Sequence, residues 1–209
     1  MRLAILDDHQ IFGASLARLL DGDGEIEVVG SVTSIAELPQ ALGALTPDVM
    51  VVDWQLADGD GAEALTLIRR HRPDCRVLVL TGNLDDTTLR RAVSAGSDGF
   101  VTKDQPPETL LAAIRAVGRG EVAFDPAALA RVVGNGSAPP ARTDVSDREV
   151  EIIQLLAAGR SNKEIAAQLY LSPNTVRNHI HRISGKLGAS SRLEVVVEAA
   201  RLGIIELPR

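Results

Sequence analysis

The segment Val49-Met50-Val51-Val52-Asp53 places an acidic side chain at the end of a short apolar run. Runs of this length and composition are typical of strands buried on both faces of a parallel sheet. Three further runs also end on polar residues: 3–6 before Asp7 and Asp8, 77–80 before Thr81, and 100–102 before Lys103. Because the carboxyl ends of strands in an open α/β sheet lie along one edge, we expect these polar side chains to converge there.

The predicted cluster contains three carboxylates, one hydroxyl and one ammonium group. Three carboxylates repel one another unless a hard cation joins them, and Mg²⁺ binds oxygen ligands of this kind. We therefore interpret this edge as a site that holds Mg²⁺ and receives a phosphoryl group. Hydrolases of the haloacid-dehalogenase type also phosphorylate an aspartate after a strand. They need a second aspartate two residues later, where this chain has Gln55.

Strand and helix patterns alternate over the first 120 residues. Strands are expected near 2–6, 26–32, 49–53, 76–81 and 99–102, and helices near 10–20, 34–45, 61–72, 86–95 and 106–118. Ser34 and Glu37 have the spacing of a capping box at the start of the second helix. The alternation predicts an α/β domain with a five-stranded parallel sheet that is covered on both faces.

The residues at 134–141 are rich in Gly, Ser, Ala and Pro, which is typical of a flexible linker. A short helix is expected just before it, at 126–133. The chain therefore divides into a first domain at 1–120, a short helix and linker at 121–142, and a second domain at 143–209. The second domain carries nine basic and eight acidic side chains, whereas the rest carries 13 and 20. The acidity of the chain belongs to the first domain and does not exclude nucleic acid from the second.

The second domain has the pattern of four helices, near 146–158, 162–169, 173–187 and 191–202. Ser146 with Glu149, and Ser161 with Glu164, have the spacing of capping boxes. Ser172 precedes a proline, which favours the first position of a helix. This pattern predicts a compact all-α domain.

The helix near 173–187 has two distinct faces. Apolar residues form one stripe: Val176, Ile180, Ile183 and Leu187. Arginine pairs with guanine and asparagine with adenine in the major groove of DNA, so we predict base contacts from Arg177, Asn178 and His181. Phosphate contacts are predicted for Thr175, Arg182 and Lys186. Gly185 lies one turn beyond His181, where the absence of a side chain permits close approach to a duplex.

Other features of the sequence indicate the cellular compartment of the protein. Cys75 is the single cysteine, so an internal disulfide is excluded and a reducing compartment is favoured. No signal peptide and no apolar run long enough to span a bilayer is present. We expect a soluble cytoplasmic protein without a membrane partner.

The chain resembles a two-component response regulator of the NarL/FixJ family, in which a flavodoxin-like receiver domain precedes a LuxR-type helix-turn-helix. In the first half the resemblance depends on Asp7-Asp8, Asp53, Thr81 and Gly99-Phe100-Val101-Thr102-Lys103. In the second half it depends on four segments: 145–149, 159–166, 172–179 and 186–188. The second match is long and ungapped, and together the two cover nearly the whole chain.

The resemblance implies a role for each residue of the first site. Asp53 is the nucleophilic phosphoacceptor. Asp8 and Asp53 bind Mg²⁺ directly, Asp7 partly through water, and the Gln55 carbonyl completes the shell. Lys103 neutralises charge on the phosphoryl oxygens, and the Thr81 hydroxyl binds one of them.

Phe100 corresponds to the family's switch aromatic, with an output face around Leu89, Val93 and Phe100. Its spacing is equally consistent with a core residue of the fifth strand.

Trp54, beside the acceptor, either is exposed there or packs over the loop. The last helix has a wide apolar face, for which the resemblance implies a dimer contact and the pattern alone implies core packing. His179 matches the family pattern but lies off the base-reading stripe.

The resemblance implies a transcription factor rather than an enzyme. A sensor histidine kinase phosphorylates Asp53, and a homodimer then binds an inverted repeat in double-stranded DNA, pairing through the receiver, the last helix or both. One alternative is an orphan regulator that binds DNA without phosphorylation and is tuned by a ligand or partner. Another is an acyl-phosphate phosphatase, which would turn over instead of reacting once. The complete acidic site favours the kinase-controlled regulator.

Overall fold

The computed structural model describes residues 1–20, 24–82, 85–124, 126–134 and 144–207. Apart from Gly134, the predicted linker at 134–141 lies outside the described residues. The N-terminal half contains one parallel sheet with the strand order β2-β1-β3-β4-β5. Its strands are β1 (Arg2–Leu6), β2 (Glu27–Val32), β3 (Val49–Asp53), β4 (Arg76–Thr81) and β5 (Gly99–Thr102). The predicted five-stranded parallel sheet is confirmed.

Helices cover both faces of this sheet. They are α1 (Gln10–Leu20), α2 (Leu38–Leu45), α3 (Gly61–His71), α4 (Asp86–Ser94) and α5 (Pro107–Arg119); a further helix, α6 (Pro126–Val133), packs on α4. Apolar residues of α1 and α5 pack on one face, whereas those of α2, α3 and α4 pack on the other. Apart from the edge strand β2, in which Val32 is the one buried residue, the strands are buried on both sides because they contain almost no polar residues before their carboxyl ends.

The start of the second helix differs from the prediction. Ser34 makes no capping hydrogen bond, and the segment Ile35–Glu37 forms a 3₁₀ turn before α2 begins at Leu38. The carboxylate of Glu37 accepts a hydrogen bond from the Thr33 N–H over 3.3 Å instead. Pro39 favours this later start, because proline fits the first turn of a helix, where its missing N–H is not needed.

The C-terminal half is helical, as predicted, with α7 (Asp147–Ala157), α8 (Asn162–Leu169), α9 (Pro173–Leu187) and α10 (Arg192–Arg201). Both capping boxes are present, at Ser146 and at Ser161. The Ser172 hydroxyl caps α9 by accepting a hydrogen bond from the Thr175 N–H. These local signals place the helix starts because each one satisfies backbone N–H groups that have no partner inside the helix.

The two halves of the chain pack against each other through α4, α6 and α10. Helix α6 contacts both α4 and α10. The apolar residues Leu193, Val196 and Val197 of α10 are buried within this chain, which accounts for the wide apolar face of the last helix. At the start of α10, the Ser191 hydroxyl donates to the Ser97 carbonyl over 2.8 Å. Among the described residues, no helix has the length and apolar composition needed to cross a membrane.

Candidate functional site

The carboxyl edge of the sheet holds a cluster of acidic side chains from two neighbouring strands. Asp7 and Asp8 directly follow β1, and Asp53 is the last residue of β3. Because β1 and β3 are parallel neighbours in register, their ends lie side by side. Carboxylate oxygens of the three acids and one imidazole nitrogen of His9 lie within 4.8 Å of one another. The structure therefore brings the three predicted acids together.

Lys103 lies just beyond β5, and its ammonium group joins this cluster. Lys103 Nζ is 2.6 Å from Asp53 Oδ2 and 3.1 Å from Asp7 Oδ2. Burial opposes a charged ammonium, but hydrogen bonds to Asp53 and Asp7 outweigh this effect and raise the pKa of Lys103. Lys103 therefore stays positively charged at neutral pH, next to the predicted acceptor.

Asp53 is almost completely enclosed, with 3% of its surface exposed. Burial raises the pKa of the Asp53 carboxyl, and hydrogen bonds from Lys103 and from the Gln55 N–H offset part of that rise. The Gln55 N–H donates to Asp53 Oδ1 over 3.2 Å, whereas Lys103 binds Oδ2. These two contacts fix the orientation of the carboxylate. The role of the Gln55 carbonyl as a metal ligand stays a prediction.

Thr81 lies at the end of β4 and is buried beside the same cluster. It stands opposite Thr102 in the sheet, and its carbonyl accepts a hydrogen bond from the Lys103 N–H over 2.8 Å. The strand that ends in Thr81 lies between those that carry Asp53 and Lys103. The hydroxyl and the ammonium are thus placed on adjacent strand ends, as a shared phosphoryl site requires.

Phe100 lies in the hydrophobic core, as the alternative interpretation of its spacing predicted. Leu89, Val93 and Phe100 are each no more than 3% exposed. We predicted an output face on the surface around these three residues, and this is wrong because their side chains are buried. Helix α6 packs on α4, and the chain after α5 pairs with β5. The role of Phe100 as a switch stays a prediction.

Two residues near the acidic cluster were not predicted from the sequence. His9 Nδ1 lies 2.8 Å from Asp8 Oδ1, and Lys103 Nζ lies 4.8 Å from the centre of the Phe12 ring. His9 directly follows Asp8 in the sequence, and this position could have indicated that His9 lies near the acidic cluster. Phe12 gave no such signal, because its distance to Lys103 depends on how α1 packs beside β5.

Trp54 packs over the loop that follows the acceptor and is 5% exposed. The guanidinium carbon of Arg91 lies 5.6 Å from the centre of its ring. Arg91 also pairs with Asp60, which caps α3. Trp54 therefore links the acceptor strand to α4, and the packing alternative is the correct one.

In the helical half, α9 turns its predicted apolar stripe inward, with Ile180 and Leu187 half-buried, and exposes its predicted base-reading residues. Val176 and Ile183 are fully buried. Arg177, Asn178 and His181 are exposed, which places all three predicted base contacts on the surface. Their interaction with bases stays a prediction.

The predicted phosphate contacts have different surroundings. Arg182 is exposed, and it donates a hydrogen bond to His179 Nδ1 over 2.8 Å, which supports a structural role for His179. Thr175 is half-buried, and its hydroxyl contacts the Ser172 hydroxyl.

Lys186 binds within its own domain. Its ammonium lies 2.7 Å from the carboxylate of Glu149 and 2.6 Å from the Asp144 carbonyl. Burial opposes ionisation of Glu149, but hydrogen bonds from Lys186 and Ser146 outweigh it and lower the pKa of that carboxyl. Because Lys186 neutralises a buried acid, its side chain has a structural role, and its phosphate contact stays a prediction.

A cleft of about 250 Å³ lies between the two halves of the chain, and Arg177 and His181 are among the residues that line it. On the opposite side, the cleft is lined by Arg69, Arg76 and Asp98 of the sheet domain. For α9 to enter the major groove of a duplex, its reading side chains must be clear of other parts of the protein. This arrangement therefore restricts the access of DNA to two of the three predicted base contacts.

Comparisons with known families agree with both halves of the structure. The family described as "Response regulator receiver domain" matches residues 3–115, and that described as "Bacterial regulatory proteins, luxR family" matches residues 144–199. The chain is 34% identical over 206 residues to the DNA-binding transcriptional activator DevR/DosR of Mycobacterium tuberculosis. That match covers 97% of this chain and 95% of the relative.

Response regulator protein VraR of Staphylococcus aureus is 31% identical over 207 residues, and the match covers 99% of each chain. Among solved structures, the chain is similar to the RcsB response regulator of Salmonella typhimurium, with a TM-score of 0.59 between the two. That structure is described under conformational dynamism for DNA interaction. It is 25% identical, and the match covers 94% of this chain and 96% of that one. The chain therefore belongs to the two-component response regulators that join a receiver domain to a LuxR-type DNA-binding domain.

Proposed function

We propose that a sensor histidine kinase phosphorylates Asp53 in the presence of Mg²⁺, and that this modification controls DNA binding by the C-terminal half. The observation that carries the proposal is the geometry around Asp53. Two further carboxylates and the Lys103 ammonium surround one enclosed aspartate at the carboxyl edge of the sheet. Asp7, Asp8 and Asp53 supply the hard oxygen ligands that Mg²⁺ prefers, so the residues present fit this ion.

The side chains divide the work of phosphoryl transfer. An oxygen of Asp53 forms a bond to phosphorus while the bond from phosphorus to the imidazole nitrogen of the kinase breaks, and that nitrogen keeps the electron pair and takes a proton from solvent, so that a neutral imidazole leaves. Lys103 stabilises negative charge on the phosphoryl oxygens, and the Thr81 hydroxyl donates to one of them. Mg²⁺, when held by the three acids, neutralises further charge on the same group.

DNA binding requires a change in how the two halves pack. Arg177 and His181 line the interdomain cleft, and α10 packs on α4 and α6 as well as on α7 and α9 of its own domain. We propose that phosphorylation weakens the contact of α4 with α6 and α10, which releases both α9 and α10. Two copies then pair, through the receiver, α10 or both, and bind an inverted repeat. DevR/DosR is a DNA-binding activator, and RcsB is described with conformational dynamism for DNA interaction, which supports the coupling of DNA binding to a change in conformation.

Incubation with acetyl phosphate and Mg²⁺ should add one phosphoryl group to the wild-type protein, measured as intact mass. A chelator should prevent the addition, because the three acids alone repel the incoming group. The Asp53→Asn variant should gain nothing, since an amide is not a nucleophile of comparable strength. Labelling of another residue, or labelling of Asp53→Asn, would contradict the assignment, whereas no labelling of the wild type would favour an orphan regulator.

Trp54 fluorescence should report occupation of the site. Trp54 adjoins Asp53, is the single tryptophan, and contacts Arg91 of α4. Mg²⁺ or beryllofluoride should therefore change its emission, and the response to Mg²⁺ should vanish in Asp8→Asn. An unchanged spectrum in a sample whose Mg²⁺ binding is established by calorimetry would show that the loop does not respond to the metal.

A further inference from the structure

The interdomain cleft holds more positive than negative side chains. Four arginines line it, against two aspartates. Of the aspartates, Asp98 is already paired with Arg69, at 2.7 Å, and Asp74 is exposed. The cleft therefore has an excess of positive charge that the side chains lining it do not neutralise.

Arg76 and Arg192 face each other across the boundary between the two halves. A Cβ atom built on Gly120 would lie 3.2 Å from Arg192 Nη1 and 3.3 Å from Arg76 Nη2, so the two guanidinium groups flank one point. Burial lowers the pKa of Arg192 to about 10; the charge of Asp98 opposes that shift, and the charge of Arg76 adds to it. The two positive charges repel each other, and this repulsion is stronger where bulk water is excluded.

Within the described part of the chain, the side chains of these two arginines donate hydrogen bonds to neutral groups alone. Arg76 donates to the Gly118 carbonyl, and Arg192 donates to the Asn162 side chain and to the Arg160 carbonyl. The Nε atom of Arg192 is buried and has no hydrogen-bond partner there. A buried donor without a partner is destabilising, so this atom is an independent sign that a further acceptor belongs at the site.

The two acids whose charge acts on Arg192, Asp98 and Glu121, already bind other arginines. Asp98 binds Arg69, and the carboxylate of Glu121 binds Arg119 through two hydrogen bonds of 2.5 and 2.7 Å. The N-terminus of α10, where Arg192 is the first residue, also favours negative charge. The cleft volume of about 250 Å³ leaves room for a small hydrated anion.

We propose that Arg76 and Arg192 form a binding site for a doubly charged oxyanion, of which inorganic phosphate is the simplest, at the boundary between the receiver and the DNA-binding domain. The anion accepts hydrogen bonds from both guanidinium groups and thereby joins the two domains. Because Arg177 and His181 line the same cleft, the bound anion opposes the opening that DNA binding requires. This last consequence rests on the proposed function, whereas the site itself does not.

Calorimetric titration of the full-length protein tests the site directly. Sodium phosphate is titrated in the presence of a chelator, so that Mg²⁺ cannot recruit phosphate to Asp53, and sodium chloride at equal ionic strength is the reference. We expect saturable binding of phosphate that Arg76→Gln weakens about tenfold or more, because a charge-assisted hydrogen bond is lost. Arg192→Gln should act in the same way and serves as the second variant if Arg76→Gln does not fold.

Arg70→Gln is the matched control, because Arg70 is exposed on α3 outside the cleft and its loss changes the net charge equally. A wild-type response equal to that of chloride, or equal affinities in wild type and Arg76→Gln, would overturn the site. The coupling to DNA is tested separately: phosphate should weaken DNA binding more in wild type than in Arg76→Gln. Equal weakening in the two proteins would overturn the coupling, whatever the calorimetry shows.

Discussion

Replacing Asp98 with alanine should lower the free energy of unfolding of the receiver domain by about 3–5 kcal/mol. Asp98 binds Arg69 at 2.7 Å, and the exposed fractions of the two side chains are only 8% and 18%. The same carboxylate oxygen accepts a hydrogen bond from the Val77 N–H over 2.8 Å. Removal of the acid leaves a buried charge and a buried backbone donor without their partner, and each is destabilising.

Urea unfolding followed by Trp54 fluorescence measures this effect, since the single tryptophan lies in the receiver. Asp74→Ala is the control, because Asp74 is exposed and its loss should change stability by no more than about 0.5 kcal/mol. Arg69 keeps hydrogen bonds to the carbonyls of Gly96 and Cys75, so the lower end of the range is expected. Equal midpoints for Asp98→Ala and Asp74→Ala would show that the Asp98 pair does not stabilise the fold.

Replacing Arg177 with alanine should weaken binding to the specific DNA site by about 1–3 kcal/mol and relax the base preference at one position. Arg177 is exposed on α9, on a face separate from the buried Val176 and Ile183. The expected loss follows from removing a bidentate contact to a base edge. The measurement is the affinity of the phosphorylated protein for the specific duplex and for single-base variants of it.

Arg182→Ala is the matched control on the same helix. It should weaken specific and random DNA alike and reduce the slope of log K against log salt by about one, because a phosphate contact carries no sequence information. Lys186→Ala is less suitable, because it also leaves the buried Glu149 carboxylate without its partner. If Arg177→Ala weakens all sequences equally, Arg177 contacts the backbone and the readout falls to Asn178 and His181.

The sheet, the acidic cluster and the helix starts could be predicted because they depend on local patterns. Strand ends follow from apolar runs that stop at polar residues, and parallel strands place those ends together. The capping boxes at Ser146 and Ser161 depend on residues three apart. The same pattern failed at Ser34, where Pro39 delays the α-helix.

The packing of the two halves could not be predicted, because it depends on contacts between residues far apart in the chain. The backbone pairing of Phe100 with Ala123 after α5, the contact of α6 with α4 and α10, and the ion pair of Lys186 with Glu149 are of this kind. Periodicity shows that a face is apolar, but not which element covers it. For this reason the wide apolar face of α10 was consistent with both a dimer contact and core packing.

The affinity of the full-length protein for its DNA site, before and after phosphorylation, tests the central claim most directly. A duplex selected from random sequences by the phosphorylated protein provides the site, and fluorescence anisotropy provides the affinity. Acetyl phosphate with Mg²⁺ should tighten wild-type binding about tenfold or more, within the usual range of coupling between two sites, and should leave Asp53→Asn unchanged. Equal affinities for phosphorylated and unmodified wild type, or the same tightening in Asp53→Asn, would contradict control of DNA binding through Asp53.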